Sequence, residues 1–219
     1  MLRKIHLQKI RSWALAGVIA LPLHQPGAWQ LLQYSSLKPN EVSFTEQGMQ
    51  VSVDSSASPV IYPLDGPRWI RKVEVTGRLS NLLALSGVTQ GLKGGDDYCL
   101  KVGLVIAGDK TLNAFQRIFS ARWVKTLFEL APKGSGVDRI QFLNAVQSEA
   151  LLGRQRQHPL SEIMYEQNVW LLNKSGDFEL SYTLDQPEQV IAIWLSIDGD
   201  DSASKYTTLI TGLKLELAD

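Results

Sequence analysis

Two acidic clusters hold the densest chemistry in this chain of 219 residues: Gly95-Asp96-Asp97-Tyr98 and Asp198-Gly199-Asp200-Asp201-Ser202. Carboxylates bunched in loops suit a hard cation such as calcium, which takes about six to eight oxygen ligands. Asp198, Asp200 and Asp201 are therefore the candidate calcium ligands. The glutamate that closes an EF-hand loop is absent, and aspartates in such loops also cap turns by accepting bonds from nearby backbone amides. A second chemistry open to Asp96, Asp97 or Asp200 is acid/base cleavage of a polysaccharide, since glycosidases use two carboxyl groups about 5 to 9 Å apart. Spacing along the chain does not set that distance.

Other catalytic groups are scarce. His158 is the one histidine beyond residue 28, and as His158-Pro159 it reads as an exposed turn rather than a base. No G-x-S-x-G elbow, phosphate loop or dinucleotide fingerprint is present. Cys99, the single cysteine, lies in the alternating stretch Tyr98-Cys99-Leu100-Lys101-Val102 and reads as a buried, inert thiol. No internal disulfide can form, and a zinc or copper site built on histidine and cysteine is excluded.

Aromatic side chains offer binding instead, because a flat apolar face with a polar edge suits a sugar ring. Trp69, beside Arg68 and following Asp65-Gly66-Pro67, is the tryptophan expected at the surface. Arg68 and Arg71 suit carboxylates or acidic sugars. The candidate ligand-binding residues are Trp69, Arg68, Tyr98 and Asp97. Trp194, in the wholly apolar Ile191-Ala192-Ile193-Trp194-Leu195, reads as core.

The elements that must position these groups are mostly strands. Apolar residues recur with a period of two between turn residues, predicting strands at 30–34, 41–45, 49–54, 60–62, 70–79, 98–106, 140–146, 169–172, 178–183, 190–197 and 206–217. Gln47-Gly48 marks a hairpin turn. At 111–130 the period changes: Leu112, Phe115, Ile118, Phe119, Trp123, Leu127 and Leu130 follow steps of three and four, the stripe of an amphipathic helix. Pro132-Lys133-Gly134-Ser135-Gly136 ends it. The expected fold is all-β, a jelly-roll-like β-sandwich with one inserted amphipathic helix around 111–131.

The chain opens with Arg3, Lys4, Lys9 and Arg11, then an apolar run at 13–23, the layout of a secretory signal. The run is about half the roughly 20 residues of a spanning helix, so a permanent anchor is not expected. Residues 1–28 are read as a signal ending at Ala28 and residues 29–219 as a single domain, periplasmic or secreted. Removing residues 1–28 takes away four basic residues and no acidic ones, leaving 18 basic against 22 acidic, a formal charge of −4. That balance argues against nucleic acid as a partner.

Three segments in order, Ser55-Ser56-Ala57-Ser58-Pro59-Val60-Ile61-Tyr62, Gly95-Asp96-Asp97-Tyr98 and Ile197-Asp198-Gly199-Asp200-Asp201, carry a family likeness. On them the chain resembles a group of uncharacterised exported bacterial proteins, a domain of unknown function with a sandwich similar to galactose-binding-like domains. The resemblance implies a jelly roll that often binds saccharides, sometimes with a structural calcium ion, and brings no catalytic residues. The expected function is a non-catalytic binding module for a glycan or other cell-envelope component. The alternatives are a polysaccharide hydrolase or lyase, and an envelope assembly protein that docks through its helix.

Overall fold

Residues 57–79 and 176–198 are rich in strand-forming side chains over unusual lengths, alternating at 73–79 and 178–184 and continuously apolar at 190–195, with the turn-forming Asp65-Gly66-Pro67 and Asp185-Gln186-Pro187 near their middles. A twisted strand that long can serve two layers if a bulge bends it. The computed structural model describes residues 17–113, 120, 122–159 and 161–218. Its strands in chain order are β1 (Val18–Ala20), β2 (Gln30–Leu31), β3 (Glu41–Thr45), β4 (Gly48–Asp54), β5 (Ala57–Leu79) and β6 (Lys101–Gly108). After helix α1 (Arg122–Glu129) come β7 (Gly136–Val146), β8 (Gln155–Gln157), β9 (Met164–Leu171), β10 (Gly176–Asp198) and β11 (Lys205–Leu217).

The strands run in the order β3-β4-β11-β5-β10-β6-β7-β9-β8, with β1 added to β11 and β2 to β5. All pairings are antiparallel except β7 with β9. β5 and β10 pair along their whole lengths, and their register slips between Thr183 and Glu188 and between Val190 and Ala192. The second half of β5 pairs with β11, whereas the second half of β10 pairs with β6. Each long strand therefore belongs to both layers of one sandwich, and the predicted pairs 60–62 with 70–79 and 178–183 with 190–197 are single bent strands.

Side chains of both layers meet in one core that includes Met49, Val51, Val73, Val75, Leu104, Leu143, Leu195 and Leu213. Burying each such side chain contributes about 1.5–3 kcal/mol. The opposite face of the layer containing β6, β7 and β9 is also apolar, with Ile61, Val105, Ile140, Phe142 and Trp194, and α1 covers it with Leu127. An apolar stripe on α1 and an apolar outer face on the sheet thus satisfy each other. Trp123, Leu127 and Leu130 of the expected stripe lie there; Phe115, Ile118 and Phe119 fall outside the described residues. The fold is the expected all-β, jelly-roll-like sandwich with a helix inserted between β6 and β7.

At Gln47-Gly48 the hairpin forms as expected, with Thr45 paired to Gly48. Gly48 has φ of +135°, and a Cβ there would stand 2.1 Å from the Ile210 carbonyl oxygen, so only glycine fits.

Part of the segment read as a signal is paired into the sandwich. Val18–Ala20 pairs with Glu216, Leu215 and Lys214 of β11, and Leu21 and Leu23 are 6% and 2% exposed within the core. The Leu21 amide donates to the Leu213 carbonyl at 2.9 Å. The second half of the apolar run is thus a strand and core segment of the sandwich, so a cut after Ala28 would remove part of the fold. Among the described residues, no helix is long and apolar enough to cross a membrane.

Candidate functional site

Adjacent strands β7, β9 and β8 show alternate residues on two opposite faces. On the face turned toward the other layer, Gln141 is registered with Tyr165 and Tyr165 with Gln157, while Leu143 is registered with Gln167 and Gln167 with Gln155. Leu143 belongs to the core, but nearer the sheet edge the layers part against the bend of β10. There Gln141, Gln155, Gln157, Gln167, Tyr165 and Tyr182 line a cleft of about 520 Å³. Gln167 Nε2 donates to the Tyr182 hydroxyl at 3.0 Å. Burial, with Asp185 nearby, raises the Tyr182 phenol above its ordinary pKa, so it stays a neutral hydroxyl. Glu188 at the cleft margin is held by Arg139 at 2.6 Å.

On the opposite face of the same strands lies a charged pocket of about 240 Å³, walled by Lys101, Phe142, Asp198 and Asp200 and roofed by Trp123 of α1. Lys101 is 7% exposed and Glu166 only 2%; Lys101 Nζ lies 2.8 Å from Glu166 and 3.9 Å from Asp198. Arg156 pairs with both Glu166 and Asp96, and His158 stands 4.0 Å from Asp96. Burial by itself would lower the Lys101 pKa, but Glu166 and Asp198 outweigh it and raise it. Burial likewise works against ionised Glu166, and Lys101 and Arg156 together hold its carboxyl below the usual range. Asp198 lacks such compensation: burial pushes its carboxyl up to about 7 against the pull of Lys101. Burial also raises Asp200, with Asp97 adding to it.

No protein-family model and no curated protein matches the chain. Among solved structures it is similar to the xylan-binding module CBM15, with 9% identity over 93% of this chain and 98% of that one at a TM-score of 0.41. A family 11 carbohydrate-binding module from Clostridium thermocellum, in complex with a mixed-linked tetrasaccharide, shares 10% identity over 94% and 98% of the two chains at a TM-score of 0.44. The Ca2+-bound exoplasmic/lumenal domain of VIP36 shares 11% identity over 91% and 90%, at a TM-score of 0.40.

The residues singled out from sequence are dispersed. Trp69 is 53% exposed at the bend of β5, with Arg68 partly exposed beside it. Tyr98 and Asp97 are 2% and 0% exposed. Asp97 instead accepts bonds from the Asp201 amide at 3.3 Å and from the Ser202 amide and hydroxyl at 2.6 and 2.5 Å. Asp201 returns the favour to the other loop, accepting from the amides of Gly94 at 3.0 Å and Asp96 at 3.2 Å. The two acidic loops therefore cap one another. Of the expected calcium ligands, Asp198 and Asp200 line the outer pocket while the Asp201 carboxylate is committed to those amides. Among the described residues, no three or more His, Cys, Asp or Glu side chains are grouped to hold a metal ion.

His158, expected in an exposed turn, is part-buried on the pocket wall, and burial lowers its imidazole pKa. Cys99 is buried, and burial pushes its thiol up to about 12, the inert state expected of it. Sequence reasoning missed the cleft. Its signal was present as glutamines and a tyrosine at alternate positions, Gln155 with Gln157 and Tyr165 with Gln167.

Proposed function

We propose that the protein is a non-catalytic binding module for a glycan or a similar hydroxyl-rich component of the cell envelope, seated in the glutamine-tyrosine cleft. One observation carries this reading: a cleft of about 520 Å³ in which Gln141, Gln155, Gln157 and Gln167 stand beside Tyr165 and Tyr182. Each amide offers donors and an acceptor without a charge to desolvate, which matches sugar hydroxyls that both donate and accept. Tyr165, 37% exposed, supplies a flat face for the apolar side of a ring. A location in or beyond the envelope is part of the proposal, supported by the basic-then-apolar start of the chain. Fractionation and N-terminal sequencing of the mature protein test it.

The hydrolase alternative needs carboxylates along a groove open to a chain. Asp96, Asp198 and Asp200 line the smaller outer pocket instead, and Asp97 is spent on backbone amides. Of the stripe that the docking alternative needs at the surface, Trp123, Leu127 and Leu130 are turned onto the sheet, while Phe115, Ile118 and Phe119 lie outside the described residues.

Affinity electrophoresis of the full chain through gels containing neutral and acidic polysaccharides, with a pull-down on cell-wall material, tests the binding reading. Retardation by at least one polymer is expected, reduced about tenfold or more in apparent affinity by Tyr165→Ala. No retention on any polymer, or retention indifferent to both Tyr165→Ala and Gln167→Ala, overturns it.

A further inference from the structure

β8 is the least secured wall of the cleft. It is the last strand of the sheet order, and its three residues, Gln155-Arg156-Gln157, bury no apolar side chain. A segment with few buried apolar contacts opens locally unless something other than packing holds it. Gln155 and Gln157 are exposed, are registered with Gln167 and Tyr165, and line the cleft. Where their amides stand therefore depends on where β8 stands.

Arg156 supplies the hold. Side chains alternate along a strand, so Arg156 leaves β8 on the side opposite the two glutamines. Each guanidinium nitrogen donates to a different acceptor: Nε to Glu166 on β9, Nη1 to the Gly91 carbonyl, and Nη2 to Asp96 Oδ1 at 2.5 Å. Those acceptors are themselves fixed. Glu166 is 2% exposed and paired with Lys101 at 2.8 Å. The amides of Gly94 and Asp96 donate to Asp201 across the joined acidic loops, and the Gly91 amide donates to the Gly95 carbonyl at 2.8 Å. A planar fork bonded to three separate acceptors fixes direction as well as distance, which a single ammonium does not. Binding by glutamines on a loose edge must first order that edge, and a wall already ordered spares the ligand that cost.

We propose that Arg156 and Asp96 are positioning residues for glycan binding: the Arg156 fork, set by Asp96, holds β8 so that Gln155 and Gln157 meet the ligand together with Gln167 and Tyr165. This inference rests on the cleft reading above. Arg156 and Glu166 also border the cleft, whereas Asp96 does not, so Asp96 separates positioning from contact.

Two variants of the full chain test it: Asp96→Ala, and Arg156→Lys, which keeps a positive charge beside Glu166. Amide hydrogen exchange reads the strand; affinity electrophoresis through the same neutral and acidic polysaccharide gels, with hydroxyethyl cellulose, xylan and polygalacturonate among them, reads binding. Exchange over residues 154–158 is expected to quicken at least about fivefold in both variants while β6 and β10 keep their wild-type protection. Affinity for the polymer that retards the wild type is expected to weaken at least about threefold in both. Wild-type exchange over 154–158 in both variants overturns the inference, and so does quickened exchange throughout the sheet, which would make Arg156 and Asp96 general supports of the fold. A wild type retained by no polymer overturns the cleft reading and this inference with it, whereas a retained wild type whose variants are retained equally overturns this inference alone.

Discussion

Asp198 is the residue at which burial and charge compensation are most out of balance. It faces Lys101 from β6, with Glu166 on β9 competing for that ammonium, and Asp97 and Asp200 add like charge. Its carboxyl titrates near 7 when folded against 3.8 ordinarily. Between about pH 4 and pH 7 the folded chain holds a proton that the unfolded chain has released, so this group's contribution to stability falls as pH rises through that window and levels off above it. His158, depressed by burial, slopes the opposite way below its ordinary 6.5. The informative quantity is therefore the difference between wild type and Asp198→Asn in urea unfolding. The variant is expected to gain on wild type by on the order of 2 kcal/mol between pH 5 and pH 8. A constant difference across that range would show that Asp198 ionises normally. Burial of Cys99 and Trp194 was legible residue by residue, because an apolar or alternating neighbourhood is itself the cause of burial. The isolation of Asp198 was not, since it depends on Lys101 and Glu166 arriving from two other strands.

Among the elements, β1 has the clearest consequence. Leu21 and Leu23, just beyond it, are core residues, and each buried leucine truncated to alanine costs about 2–5 kcal/mol. A chain beginning at Trp29 loses both, together with the β1 pairings, and is expected to melt at least about 10 °C below one beginning at Gly17, or to fail to fold. Equal midpoints would mean that β1 is dispensable and that a cut after Ala28 leaves the fold intact. The run at 13–23 reads equally as a signal core or as a buried strand, because both are short apolar stretches. β3, predicted at 41–45 and observed as Glu41–Thr45, was legible because turn residues bound it on both sides. β5 and β10 were divided at Asp65-Gly66-Pro67 and Asp185-Gln186-Pro187, where turn chemistry bends a strand without ending it. β8 was overlooked because three polar residues, Gln155-Arg156-Gln157, carry no apolar alternation and are a strand only through pairing with β9.

For the whole molecule, the interlocked acidic loops join the strand-end connections of the sandwich. Asp97 caps the 198–202 loop and Asp201 caps the 94–96 loop, so these carboxylates serve the fold. Adding calcium, then chelator, is accordingly expected to leave the thermal midpoint unchanged, because an ion stabilises only if the folded state binds it better than the unfolded one. A reversible rise lost in Asp200→Asn would instead establish a calcium site. By itself the sequence determined the all-β class, the sandwich and the inserted amphipathic helix, because side-chain periodicity follows from local backbone geometry. It also determined the lack of a disulfide and the scarcity of catalytic imidazole and thiol. Only the tertiary structure decided which carboxylates cap turns and which line a pocket, and that glutamines and tyrosines of β7, β9 and β8 gather in one cleft. Those outcomes depend on which strands become neighbours across the two layers, and neighbours brought from distant parts of the chain leave no mark in local spacing.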